Sequence, residues 1–115
     1  MGQSQLDTTE PGVAIVVLEG EHELFSAPKL QRQLDGLIGE GLSVVIDLTQ
    51  ATFLDSSVVG VLLRARERAA EAETLFAIVL DDSTAEPVQR MFEITGLASI
   101  LPVVGTRAEA LAHSS

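Results

Sequence analysis

The residues best placed for chemistry are Asp55-Ser56-Ser57, a carboxylate followed directly by two hydroxyls. Behind them Val58, Val61, Leu62, Ala65, Ala69 and Ala72 recur at three- and four-residue intervals, the spacing of one helix face. Asp and Ser are preferred helix N-caps, because their oxygens accept hydrogen bonds from the orphan N–H groups of the first turn. A second chemistry suits the same place. A hydroxyl at a helix N-terminus is exposed, and a phosphate added to it meets backbone N–H groups and the positive end of the helix dipole. The two roles are compatible, with Asp55 capping and Ser56 open to modification.

Gly20-Glu21-His22-Glu23 is the other segment of interest, read as a loop after an apolar strand ending at Leu18. His22 is expected to be a surface loop residue rather than a catalyst. A Ser–His–Asp hydrolase built on His22 and Ser56 has no G-x-S-x-G elbow to support it. A phospho-aspartate receiver would use Asp47 or Asp81-Asp82 at strand ends. However, the one lysine, Lys29, precedes those strands, and none follows to meet an acyl phosphate. Neither a G-x-G-x-x-G turn nor a Walker loop occurs.

With no Cys and only two histidines, His22 and His113, the chain has no disulfide and no basis for a metal site, and no cofactor is expected. Its net charge of −10, from 7 basic and 17 acidic residues, argues against nucleic acid as a partner and permits a basic protein. Apolar runs such as Val13–Leu18 are far too short to span a membrane. The start of the chain is polar, without a secretion signal, and Leu6 stands where a myristoylation motif needs Ser or Thr. The expectation is a cytoplasmic protein with no membrane association.

These segments need elements to position them. The length of 115 residues and an apolar fraction of 46% fit one domain with one real core. Residues 1–10 are polar, an edge strand or a tail, and Pro11-Gly12 marks a turn. Val13–Leu18 reads as a buried strand ended by Gly20. A helix follows over Ser26–Ile38, capped by Ser26 and stopped by Gly39-Glu40-Gly41. Val44-Val45-Ile46 is a second strand, and Asp47 through Asp55 reads as a loop. The long helix runs over Ser56–Ala72, and Leu75–Leu80 is a third strand. A helix over Thr84–Thr95 uses Val88, Met91, Phe92 and Ile94, with Gly96 as its C-cap. Ile100–Val104 is a short strand. Thr106–Ala112 is a final helix whose Thr106 and Glu109 are spaced as a capping box, with His113 at its end. Strands alternating with helices imply an α/β domain with a four- or five-stranded, mostly parallel sheet and about four helices. The predicted core includes Ile15, Val17, Leu34, Val45, Ile46, Leu62, Ile78 and Phe92.

The segment Val44-Val45-Ile46-Asp47-Leu48-Thr49, followed by Phe53-Leu54-Asp55-Ser56-Ser57 and Val58 through Leu63, resembles the signature of the STAS-domain anti-sigma factor antagonists. Leu18 through Glu23 resembles that family's Gly-Glu-x-Asp loop, and Phe92 through Leu111 its C-terminal helix, strand and helix. The resemblance implies a non-enzymatic partner switch. It would bind a serine-kinase anti-sigma factor to free a sigma factor, let go when that kinase phosphorylates Ser56, and be reset by a serine phosphatase. The implied partner-binding residues are Glu21, His22, Glu23, Asp55, Ser57, Val58 and Val59. Two positions depart from the pattern: Val58 stands where Gly is usual, adding a branched side chain beside Ser56, and Glu23 replaces Asp. The alternatives are a STAS subunit of a transport or signalling complex that binds without phosphorylation, and a small-ligand sensor. The intact Asp55-Ser56-Ser57 favours the switch, and four Phe leave little on which to stack a ligand.

Overall fold

The computed structural model describes residues 2–114, and side chains through residue 112. Its elements are β1 (Gln3–Asp7), β2 (Val13–His22), α1 (Ala27–Gly39), β3 (Ser43–Asp47), β4 (Ala51–Leu54) and α2 (Ser56–Glu71). There follow β5 (Phe76–Val79), α3 (Glu86–Thr95), a 3₁₀ turn over Leu97–Ser99, β6 (Val103–Val104) and α4 (Arg107–Ser114). The strands lie in the order β1-β2-β3-β5-β6, and β4 pairs with the far end of β2. β1 runs antiparallel to β2, and every other pairing is parallel.

Strict alternation along β2 divides the interior into two layers. Ala14, Val16 and Leu18 join Val44, Ile46 and Ile78 under α1, α2 and α3, whose Leu34, Leu62 and Phe92 complete the main core. Val13, Ile15 and Val17 point the other way, with Val45, Ala77 and Val79, toward Ala110 of α4. Strands covered on both faces read as continuous apolar runs, which is why β2, β3 and β5 were legible. All eight predicted core residues are buried.

Several boundaries differ from the sequence expectation. Gly20 does not end β2: at φ +76° it forms an irregularity, after which Glu21 and His22 pair with Phe53 and Leu54. Residues 51–54, expected within a loop, are therefore the strand β4, and the sheet system has six strands. Ser26 occupies the N-cap position of α1, yet its hydroxyl donates to the Glu23 carbonyl and accepts from the Glu23 N–H instead of capping. α3 begins at Glu86, because the Thr84 hydroxyl and N–H are taken by a turn with Asp81. Ile94 is 78% exposed, lying about 200° around the helix from Phe92, and Val88 and Phe92 set the buried face. Ile100 is also exposed, with Leu97 and Leu101 buried in its place, and β6 is only two residues long. Thr106 does accept the Glu109 N–H, but the Glu109 carboxylate reaches the Gly105 N–H rather than that of Thr106. His113 falls within α4, and its side chain lies outside the described residues. Among the described residues no helix is long and apolar enough to cross a membrane.

Candidate functional site

Asp55 is the N-cap of α2, with extended backbone and a single carboxylate oxygen, Oδ1, that accepts three hydrogen bonds. They come from the Ser57 N–H at 3.0 Å, the Val58 N–H at 3.2 Å and the Ser57 hydroxyl at 2.5 Å. The carboxyl is held below the usual carboxylate range, chiefly by the Ser57 hydroxyl. Partial burial opposes this, and the N–H groups of Val58, Ser57 and Leu24 reinforce it. The two serines are thereby made unequal. Ser57 is half-buried with its hydroxyl committed to Asp55, while Ser56 is exposed and its hydroxyl has no hydrogen bond among the described residues.

The Glu21–Glu23 segment is brought against this motif. β4 pairs with the end of β2, and the Asp55 N–H donates to the His22 carbonyl at 3.1 Å. Glu21 and Glu23 are exposed, as are Leu24 and Phe25 just beyond them, with Phe25 at 92%. Leu24 lines the same cleft between α1 and α2 as Ser56, a groove of about 420 Å³. Leu24 therefore shares this cleft with the free hydroxyl, while Glu21, Glu23 and Phe25 line a separate depression.

Three expected contact residues are placed elsewhere. His22 is not a surface loop residue: it lies on β2 and is 3% exposed, because the strand continues past Gly20 and turns this side chain inward. Its Nε2 lies 3.1 Å from the carbonyl oxygens of both Gln3 and Glu19, so Nε2 carries the hydrogen, and the buried Nδ1 has no partner among the described residues. Gly2 lies directly on it, since a Cβ there would stand 2.2 Å from the Glu21 carbonyl and 2.6 Å from His22 Nε2. Val58 is 0% and Val59 9% exposed, both in the main core. The branched side chain of Val58 therefore fills the interior and adds nothing to the surface beside Ser56. The Glu23 side chain is exposed, and only its backbone takes part in the turn before α1.

One polar cluster was not anticipated. Asp47, at the end of β3, is buried; its Oδ1 accepts the N–H and hydroxyl of Thr49, and its Oδ2 accepts Arg107 Nε at 2.7 Å. Arg107 also reaches Asp7 at 3.6 Å, so the first residue of α4 ties together β1 and β3. Burial pushes the Asp47 carboxyl up, but the Thr49 and Arg107 bonds outweigh it and the net displacement is downward. No cluster of three or more potential metal ligands exists among the described residues.

Comparison with known proteins gives a consistent result. The family model described as the STAS domain matches residues 6–110. The chain is 31% identical over 99 residues to the anti-sigma-B factor antagonist of Listeria monocytogenes, covering 82% of this chain and 81% of that protein. It is similar in structure to an anti-sigma factor antagonist from Mycobacterium paratuberculosis, with a TM-score of 0.84, 25% identity, and coverage of 99% and 94% of the two chains. The Bacillus cell fate determinant SpoIIAA, solved in its phosphorylated form, shares the fold, with a TM-score of 0.70, 18% identity, and coverage of 98% and 100%.

Proposed function

Since the chain belongs to the STAS-domain family, we propose that it is an anti-sigma factor antagonist switched by phosphorylation of Ser56. Unmodified, it binds a serine-kinase anti-sigma factor in the cytoplasm and so frees a sigma factor for transcription. The kinase then transfers the γ-phosphoryl group of ATP to the Ser56 oxygen, with loss of the hydroxyl proton and release of ADP, and the complex dissociates. A serine phosphatase hydrolyses the phosphoester and restores the binding form. The chain is a binding protein in this cycle: it supplies an acceptor hydroxyl and a docking face, and its partners supply the catalysis.

The observation that carries this reading is the inequality of the two serines. Ser56 is exposed with an uncommitted hydroxyl, whereas the Ser57 hydroxyl is bound to Asp55. A kinase needs an oxygen it can reach and orient, and Ser56 is that oxygen. Phosphate adds about −1.5 to −2 charges at neutral pH, directly beside Asp55. Lost contacts, steric bulk and like-charge juxtaposition across the interface oppose rebinding. About 1.4 kcal/mol is tenfold in affinity, so a modest penalty suffices for release.

The test is incubation with kinase anti-sigma factors from the same genome and ATP, followed by intact mass and calorimetric titration. Ser56→Ala should bind constitutively and gain no phosphoryl group. Ser56→Asp and Ser56→Glu should bind weakly with near-unchanged melting temperature. Equal affinity of Ser56→Ala and the authentic phosphoprotein would overturn the switch. Binding with no mass gain would favour a STAS subunit that engages its partner without phosphorylation.

A further inference from the structure

α2 carries Ser56, Gly60 and Arg64 in one row, because residues four apart lie one above the other along a helix. All three line the cleft between α1 and α2. Gly60, the middle member, leaves a space that Arg64 fills: a Cβ on Gly60 would stand 3.3 Å from one terminal amino nitrogen of Arg64 and 3.7 Å from the other. The guanidinium thus folds back over Gly60 toward the start of the helix, the direction in which helical side chains lean.

Its position is held from α1. Arg64 Nε donates to Gln31 Oε1 at 2.9 Å; Gln31 Nε2 in turn donates to Asp35 at 2.9 Å, and Asp35 pairs with Arg68 at 3.1 Å. Only Nε is used in this chain of contacts. The two terminal amino groups of Arg64 make no hydrogen bond or ion pair among the described residues. The α1 side of the cleft, formed by Ala27, Pro28 and Gln31, carries no charge, and neither does Leu24 before it. Among the described residues Arg64 is therefore the one charged side chain lining the cleft with Ser56.

We propose that a phosphate on Ser56 is received by Arg64, whose terminal amino groups donate to the phosphate oxygens across Gly60. This rests on the reading of Ser56 as the phosphorylation site and adds what becomes of the phosphate. Cβ positions four residues apart on a helix are about 5–6 Å apart. With the guanidinium already standing over Gly60, that is a gap a phosphoserine side chain closes. Guanidinium is suited to the role, since its planar N–H groups match phosphate geometry. The contact has two consequences. It offsets the repulsion between the phosphate and Asp55, so the modified domain keeps its fold. It also draws the phosphate into the cleft that the unmodified protein offers its partner, so the release includes closing that cleft.

The test uses the full chain with phosphoserine installed at position 56 during translation, which requires no kinase. The phosphate is titrated by phosphorus NMR in this protein and in its Arg64→Gln, Gly60→Val and Arg66→Gln variants. Free phosphoserine has a second pKa of about 6. It should titrate lower in the parent chain than in Arg64→Gln by roughly half a pH unit, the effect expected of one nearby charge partly screened by water. Gly60→Val, which sets a branched side chain across the path, should behave like Arg64→Gln. Arg66→Gln, an equal loss of charge at an exposed position outside the cleft, should behave like the parent. Identical titration of the parent and Arg64→Gln would overturn the proposal, as would equal effects of Arg64→Gln and Arg66→Gln. Because the phosphoserine is installed directly, such a failure leaves the kinase reading untouched. Conversely, absence of phosphoryl transfer by any kinase partner would overturn that reading without altering this measurement.

Discussion

Replacing Asp55 by alanine tests its part in holding the start of α2. Its Oδ1 accepts from two backbone N–H groups and the Ser57 hydroxyl, and all three lose their acceptor in Asp55→Ala. Loss of an N-cap side chain costs roughly 0.5–2 kcal/mol, and loss of its charge at the positive end of the helix dipole adds about 0.3–1 kcal/mol. We take about 1–2 kcal/mol for the sum, because the two N–H groups and the hydroxyl can turn partly to water. Unfolding entropy near about 2.1 cal/mol/K per residue converts this to a fall in melting temperature of about 4–8 °C for a domain of this size. Asp55→Asn keeps the acceptor oxygen and loses only the charge, so it should fall by no more than about half as much. The pH dependence follows from the depressed Asp55 carboxyl. A group ionised more readily when folded contributes stability above its unfolded pKa of about 3.9 and loses it as pH falls through the lower folded value. The gap between parent and Asp55→Ala should thus be full at pH 7 and narrow below about pH 4. Thermal melts by circular dichroism at several pH values measure both effects. An unchanged melting temperature for Asp55→Ala at pH 7 would refute the reasoning, as would an Asp55→Asn variant as unstable as Asp55→Ala.

Arg107→Ala should destabilise the domain by about 1–3 kcal/mol in urea denaturation, since it strips a charged partner from buried Asp47. Asp47 is also held below its usual range, so its contribution is present above about pH 4 and fades below, and Arg107→Ala should move acid unfolding to higher pH. Val58→Ala should cost about 1–3 kcal/mol of stability by opening a cavity in the main core, while calorimetric affinity for the partner stays within a few-fold of the parent. Gly2→Val cannot keep its position over His22 and the Glu21 carbonyl, and should speed hydrogen exchange across β1 while leaving β3 and β5 protected.

Much of this protein was legible in the chain because the relevant signals are local. The apolar runs of β2, β3 and β5, the helical spacing behind Ser56 and the Asp55 cap each arise within a few residues of backbone geometry. The Asp-Ser-Ser signature pointed to the family and to Ser56 on the same local basis. What the sequence left undecided depends on partners far along the chain. β4 is four residues long, too short for a period to show, and is a strand only because the end of β2 pairs with it. That same pairing carries β2 past Gly20 and buries His22, which the glycine had marked as loop. Asp47 finds Arg107 sixty residues on, and Arg64 finds Gln31 thirty-three residues back; periodicity carries no information at such separations. Residue type and spacing placed Ser56 and Ser57 at one helix start. The physical difference between them comes from the folded geometry, which commits the Ser57 hydroxyl to Asp55 and leaves Ser56 exposed.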